Sequence, residues 1–288
     1  MGPSQRSLLG RSAGAICALG AAATVLVSGA RLETVQERPE GAELLYLPSG
    51  KYLAAASFGY RHLLADFIYL WAIQYYGHYE IENRYRYLQK IFRDVITELD
   101  PNYIDPYWIG ALVMSVEARD TDMALGLLDK GIAANPRDWL LPYLAGWECY
   151  QARRYDRAAA YFEKAIAAPG APAVIRRSYA AMFQKQGDLP TALRAWRSIA
   201  KDPSMDPAGR EIARRHVHDL QIEVDLDALG GLLRRYISEH GAPPPSLETL
   251  VGIGWLEKLP VDPEGNPYRY DRRSGRVRAQ TSFVLGRG

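Results

Sequence analysis

The sequence predicts an all-α helical-repeat solenoid carrying an N-terminal membrane helix and a small C-terminal module of one helix and a β-hairpin. Three observations lead there. Three segments starting at Asp105, Trp139 and Ala173 align at a spacing of 34 residues. An uncharged stretch, Ser12–Ala30, lies near the N-terminus behind Arg6 and Arg11. After Val224 the composition shifts to Pro- and Gly-punctuated segments with turn signals.

The bulk numbers set the frame. The chain has 288 residues, 35 Lys+Arg against 33 Asp+Glu, and 48% hydrophobic residues. This is an ordinary globular composition, large enough to bury a core. A net charge of +2 supplies no broad field for nucleic acid. Two cysteines, Cys17 and Cys149, make neither a disulfide framework nor a Cys-rich zinc site. Of the aromatic residues, 14 lie between Phe58 and Trp108, where dense packing is expected.

Residues 1–31 read as a membrane anchor or a signal peptide. Nineteen residues from Ser12 to Ala30 span about 28 Å as a helix, close to a hydrocarbon core of about 30 Å. The preceding arginines put the N-terminus in the cytoplasm, so a single-pass protein of a bacterial inner membrane would hold its folded part in the periplasm. Ser28-Gly29-Ala30 also suits cleavage, which would release the folded part to the periplasm. Residues 32–56, with Pro39, Gly41, Pro48 and Gly50, are expected to be a tether.

Residues 57–101 are expected to form a degenerate helical repeat. Ser57–Gly77 is apolar and aromatic, and Leu88, Ile91, Phe92, Val95, Ile96 and Leu99 mark an amphipathic helix. Residues 102–204 hold the three aligned units. Their eighth positions are Leu112, Gly146 and Ala180, their twentieth Ala124, Ala158 and Ala192, and their twenty-fourth Leu128, Phe162 and Trp196. Small residues at the eighth and twentieth positions let antiparallel helices approach, and the bulky twenty-fourth fills the space beside them. The phase stops after Pro207, so residues 205–224 are expected to be a capping helix, as an array's end requires.

These units resemble tetratricopeptide (TPR) repeats, best in Trp139–Gly146 followed by Tyr155–Ala165. The resemblance implies a TPR-type solenoid whose first helices line a concave groove. Its groove positions fall on Ile109, Val113, Val116 and Glu117, on Leu140, Tyr143, Trp147, Tyr150 and Gln151, and on Arg177, Ala181, Gln184 and Lys185. It thus implies a protein or peptide ligand with hydrophobic anchors and an acidic end.

Residues 225–288 form the C-terminal module. A helix is expected over Asp227–Glu239, then a hairpin between Tyr268–Tyr270 and Arg276–Ala279. The run Leu259-Pro-Val-Asp262-Pro-Glu-Gly-Asn266-Pro-Tyr-Arg-Tyr270 resembles the C-terminal part of the major pseudopilins of type II secretion. The processing site of those subunits is absent. Asp262, Glu264 and Asp271 supply acidic oxygens without EF-hand spacing, so the sequence leaves calcium binding by this loop open; the turn-forming residues favour a rigid turn.

No catalytic constellation, cofactor motif or metal site stands out. His216 and His218 are two apart and point to different sides of a helix. Asp66 is expected to pair with His62 or Arg84. The expected function is a membrane-tethered scaffold in assembly of an envelope machine of the secretion or pilus kind. A general peptide-binding, chaperone-like protein and an enzyme with a site near Asp66 are the alternatives.

Overall fold

The computed structural model describes residues 47–78 and 84–285. The Ser12–Ala30 segment lies outside the described residues. Among those described, no helix is long and apolar enough to cross a membrane. The chain divides into two compact units, Met1–Asp100 and Pro101–Gly288.

Among the described residues the first unit holds three helices, α1 (Gly50–Ala56), α2 (Arg61–Tyr76) and α3. Helix α3 starts as an α-helix at Tyr85–Lys90, widens to a π-helix over Ile91–Ile96 and closes with Thr97–Leu99. The six apolar residues of its periodic stripe are buried, together with Ala65, Ile68, Ala72 and Tyr75 of α2. The end of the expected tether is therefore helical. Gly50 opens α1 flush against α3, where an added Cβ would strike the Val95 carbonyl and the Glu98 side chain.

The second unit begins with three helical hairpins: α4 (Ile104–Val116) with α5 (Thr121–Ala134), α6 (Leu140–Gln151) with α7 (Tyr155–Ala167), and α8 (Ile175–Gln186) with α9 (Leu189–Lys201). The second helices start 34 residues apart, at Thr121, Tyr155 and Leu189. Ala124, Ala158 and Ala192 are fully buried between helices, as a close crossing requires. Each intra-hairpin turn passes through one left-handed residue, Arg119 (φ 53°), Arg153 (φ 57°) and Gly187 (φ 80°), again 34 apart. Asp120 and Asp188 then cap the second helices of units one and three through Met123 N and Thr191 N. In unit two the equivalent residue is Arg154, which instead pairs with Asp122 of the preceding unit. The result is a TPR-like array of helical hairpins.

The array ends on one long helix, α10 (Pro207–His240), 34 residues from the Asp206 cap to Gly241 in the left-handed conformation. This corrects the expected break at Val224. Between Leu220 and Leu229 there is no Pro or Gly to stop the helix. Its first half packs Ala213 and Leu220 on Leu193, Trp196 and Ile199 of α9. Its second half packs Ile222, Leu229 and Leu233 on Leu247, Leu250 and Tyr268.

The module is completed by the short helix α11 (Glu248–Gly252) and an antiparallel hairpin, β1 (Arg269–Asp271) with β2 (Arg276–Arg278), in which Tyr270 pairs with Val277. Asp262 organises its loop. It accepts from Glu264 N, Asn266 N, Thr281 N and Thr281 Oγ1 at 2.6–3.1 Å. Burial alone would raise this carboxyl's pKa, but the donors outweigh it and hold it below the usual range. Tyr268 donates to Asp225 of α10 at 2.9 Å, and Asp219 of α10 accepts from Val284 N and Leu285 N at 2.8 Å, so both ends of the module are tied to one helix.

Candidate peptide-binding cleft

Helix α6 presents a continuous row of rings. Trp139, Tyr143, Trp147 and Tyr150 succeed one another edge-to-face with centroids 5.1–6.3 Å apart, and Tyr155 extends the row. The row rests on Phe162 of α7, which lies 5.9 Å from Tyr143 and 6.4 Å from Trp147. Gly146 makes this possible, because a Cβ there would sit 2.6 Å from Cε1 of Phe162. Edge-to-face packing fixes the rings while leaving Trp147 38% exposed.

Between this row and helices α8 and α10 opens a cleft of about 290 Å³, mostly apolar, in which Trp147, Tyr150, Arg177, Lys185, Ile212 and His216 converge. Its far wall is a stack. His216 lies against Trp196 with centroids 3.9 Å apart and planes 6° apart. Gln184 accepts from Trp196 Nε1 at 2.9 Å and pins the indole. Burial holds the His216 imidazole below its usual pKa, and the nearby Asp219 charge opposes this only in part. Its Nδ1 is buried with no hydrogen-bond partner among the described residues. Arg177 and Lys185 have no ion pair among the described residues, so the cleft is apolar with two cations on its α8 side.

The structure brings Trp147, Tyr150, Arg177 and Lys185 together, with Tyr143 behind them and Gln151 exposed beyond. Gln184 belongs to the Trp196 wall rather than to the open face. Unit one departs from the 34-residue phase. Val113 is 2% exposed, while Ile109 and Glu117 are half-buried. The exposed large apolar residues of α4 are Trp108, Leu112 and Val116, at 41%, 45% and 60%.

The cause lies in the following turn. In units two and three Arg154 N and Asp188 N reach back five residues, to Cys149 O and Phe183 O. In unit one Asp120 N reaches back six, to Met114 O. One extra residue in that turn moves every side chain of α4 by one position. The small inward position is therefore Ala111, 2% exposed, and not Leu112. The adjacent Ala111-Leu112 pair was the available signal.

Elsewhere the expected pairs rearrange. Asp66 is exposed. His62 Nδ1 bonds Asp100 Oδ2 at 2.7 Å, and Arg84 donates to Tyr76 O at 3.0 Å. The expected packing of the Phe58–Trp108 aromatics holds only in part. Phe58 (92%), Leu63, Phe67, Leu70 and Trp71 form an exposed stripe along α2 and the turn before it. Cys149 is a free buried thiol, pushed up to about 11 by burial. Among the described residues no cluster of His, Cys, Asp or Glu is arranged to hold a metal.

Fold and cleft together define a TPR-like helical-hairpin repeat protein with an aromatic cleft at the capped end of its array. No family model matches the chain, and no curated protein matches it. Solved structures do match. MamA 41-end from Desulfovibrio magneticus RS-1 is 17% identical, with a TM-score of 0.40 over 56% of this chain and 85% of that one. Another MamA protein is 13% identical, with a TM-score of 0.39 over 70% and 100%. The structure of Naa15/Naa10 bound to HypK-THB is 15% identical, with a TM-score of 0.38 over 63% and 26%. The repeat assignment rests on the hairpins of this chain.

Proposed function

We propose that this protein is a scaffold that captures a partner's peptide segment in the cleft between α6, α8 and α10, with no catalytic step. One observation carries the reading: a fixed aromatic row ending beside two cations that have no ion pair among the described residues, within a largely apolar cleft. That chemistry accepts a segment with one or two large apolar side chains followed by acidic residues. The scaffold is tethered to a bacterial inner membrane by Ser12–Ala30, with the array in the periplasm, and serves assembly of an envelope machine of the secretion or pilus kind. This placement and role are supported by the uncharged stretch behind Arg6 and Arg11 and by the pseudopilin-like run Leu259–Tyr270.

The test has two parts. Fluorescent peptides with Phe/Leu anchors and an acidic tail should bind the full chain in detergent. Trp147→Ala should reduce affinity by about tenfold or more, the cost of about 1.4 kcal/mol at a hot spot. Lys185→Glu should weaken acidic-tailed peptides and spare neutral ones. Equal binding by all variants overturns the cleft. A topology reporter that places Gly288 in the cytoplasm overturns the placement.

A further inference from the structure

The C-terminal hairpin carries a second surface, separate from the aromatic cleft. Residues Arg269–Arg278 contain five arginines and a single acid, Asp271. Strand alternation puts Tyr270 and Val277 into the module core and leaves Arg269, Asp271, Arg276 and Arg278 on the other face. In the register Asp271 opposes Arg276, but Arg269 opposes Arg278, two like charges across the strands. Such a pair is unfavourable unless an anion joins it. The acid is also engaged, since Asp271 accepts from Arg273 N and Ser274 Oγ.

Beside this face lies a cleft of about 800 Å³ between α10 and β2. Consecutive residues Gly275–Ala279 line it, drawn from both faces of the strand. The sheet has two strands, in the order β1–β2, so the far edge of β2 carries no ladder among the described residues. Opposite, Leu226, Leu233 and Ile237 of α10 supply an apolar floor, and Arg234 a further cation. Gly230 keeps that floor low, for its added Cβ would meet nothing within 4 Å except the Arg234 guanidinium, at 3.3 Å.

We infer that the β2 edge is a docking site for an extended acidic segment of a partner protein, added as a third strand. Main-chain groups of the edge would pair with the incoming main chain, and its apolar side chains would face Leu233 and Ile237. Its carboxylates would meet Arg276, Arg278 and Arg234, whose forked guanidinium groups suit carboxylates. An open backbone edge pairs with another backbone, which favours a peptide over a lipid headgroup or a nucleic acid of the same charge. The run Gly275–Ala279 matches about 16 Å of extended chain.

The test uses the full chain in detergent with a labelled peptide of alternating Glu and Val. Its controls are the Lys/Val counterpart and a Glu/Val peptide interrupted by Pro, which cannot donate to a ladder. The Glu/Val peptide should bind and slow amide hydrogen exchange at Val277–Ala279. Affinity should fall about tenfold or more in Arg276→Glu/Arg278→Glu. Gly230→Leu should block binding while α10 keeps its circular dichroism, because Gly is the poorer helix former. Trp147→Ala should change nothing here, which separates this site from the aromatic cleft. Failure of the Glu/Val peptide to bind, equal binding of the Lys/Val or Pro-interrupted peptide, unchanged exchange at β2, or tighter binding of single-stranded RNA or anionic phosphatidylglycerol vesicles would each overturn the inference.

Discussion

His216 lies flat on Trp196, 3.9 Å between ring centroids, with its Nδ1 buried and without a hydrogen-bond partner among the described residues. Burial lowers the imidazole's pKa from an unfolded value of about 6.5. The neutral ring is therefore the form the fold accepts. As pH falls below about 6.5 the unfolded chain takes up this proton before the folded one does, so stability falls until the folded ring itself protonates. The Tm should be lower at pH 5 than at pH 7.5, and His216→Phe, which keeps a stacking ring, should remove much of that difference. Thermal melts across pH check it; an unchanged pH dependence in the variant refutes it.

Gly146→Ala should destabilise the second unit. The new methyl would meet the Phe162 ring at 2.6 Å, at the centre of the aromatic row. Overpacking of this kind costs about 1–3 kcal/mol, against a gain of about 1 kcal/mol in helix propensity. A lower urea midpoint with restoration by Phe162→Leu is the expected result.

Arg153→Gly should do the opposite. Arg153 holds φ 57° at the turn where unit three uses Gly187. The left-handed conformation costs an L-residue roughly 1–2 kcal/mol, and a glycine's extra unfolded freedom costs about 0.5–1 kcal/mol. The net gain should be about 0.5 kcal/mol in urea denaturation. Arg153→Ala should bring none of it.

Asp262→Ala should loosen the C-terminal module. The substitution strands three backbone N–H groups and the Thr281 hydroxyl. A loss of about 2 kcal/mol is expected, read by Trp255 fluorescence in urea. The carboxylate's pKa is depressed in the fold, so its contribution is complete above the unfolded value of about 3.9 and is lost as pH falls through the lower folded one. Acid loosening of this module should therefore come at lower pH than the His216 effect.

These positions also show what could be read from residue order. The second helices were legible, because Ala124, Ala158 and Ala192 sit where steric closeness permits little else. The aromatic row at Tyr143, Trp147 and Tyr150 was legible for the same reason, since Gly146 and Phe162 fix its phase. The face of α4 was not, because a single extra turn residue rotates a helix by about 100° without changing composition. The continuity of α10 was hidden because a change in composition resembles a boundary, whereas a helix stops at Pro, Gly or a cap. The exposed stripe of α2 was hidden because aromatic density is the same whether rings pack inward or stand in solvent. The hairpin's charge was diluted in a net balance of +2.

Helix α10 carries His216 in the aromatic cleft and Arg234 at the β2 edge, 18 residues apart on one unbroken rod, about 27 Å along its axis. It therefore acts as a ruler. A partner bearing both an aromatic-acidic segment and an acidic strand could engage both only if about eight or more extended residues join them. A flexible joint of roughly 25 residues has a mean span near that distance. Near that length the second contact becomes intramolecular, and avidity could exceed either affinity by about 10²–10⁴-fold with no further contact between the molecules.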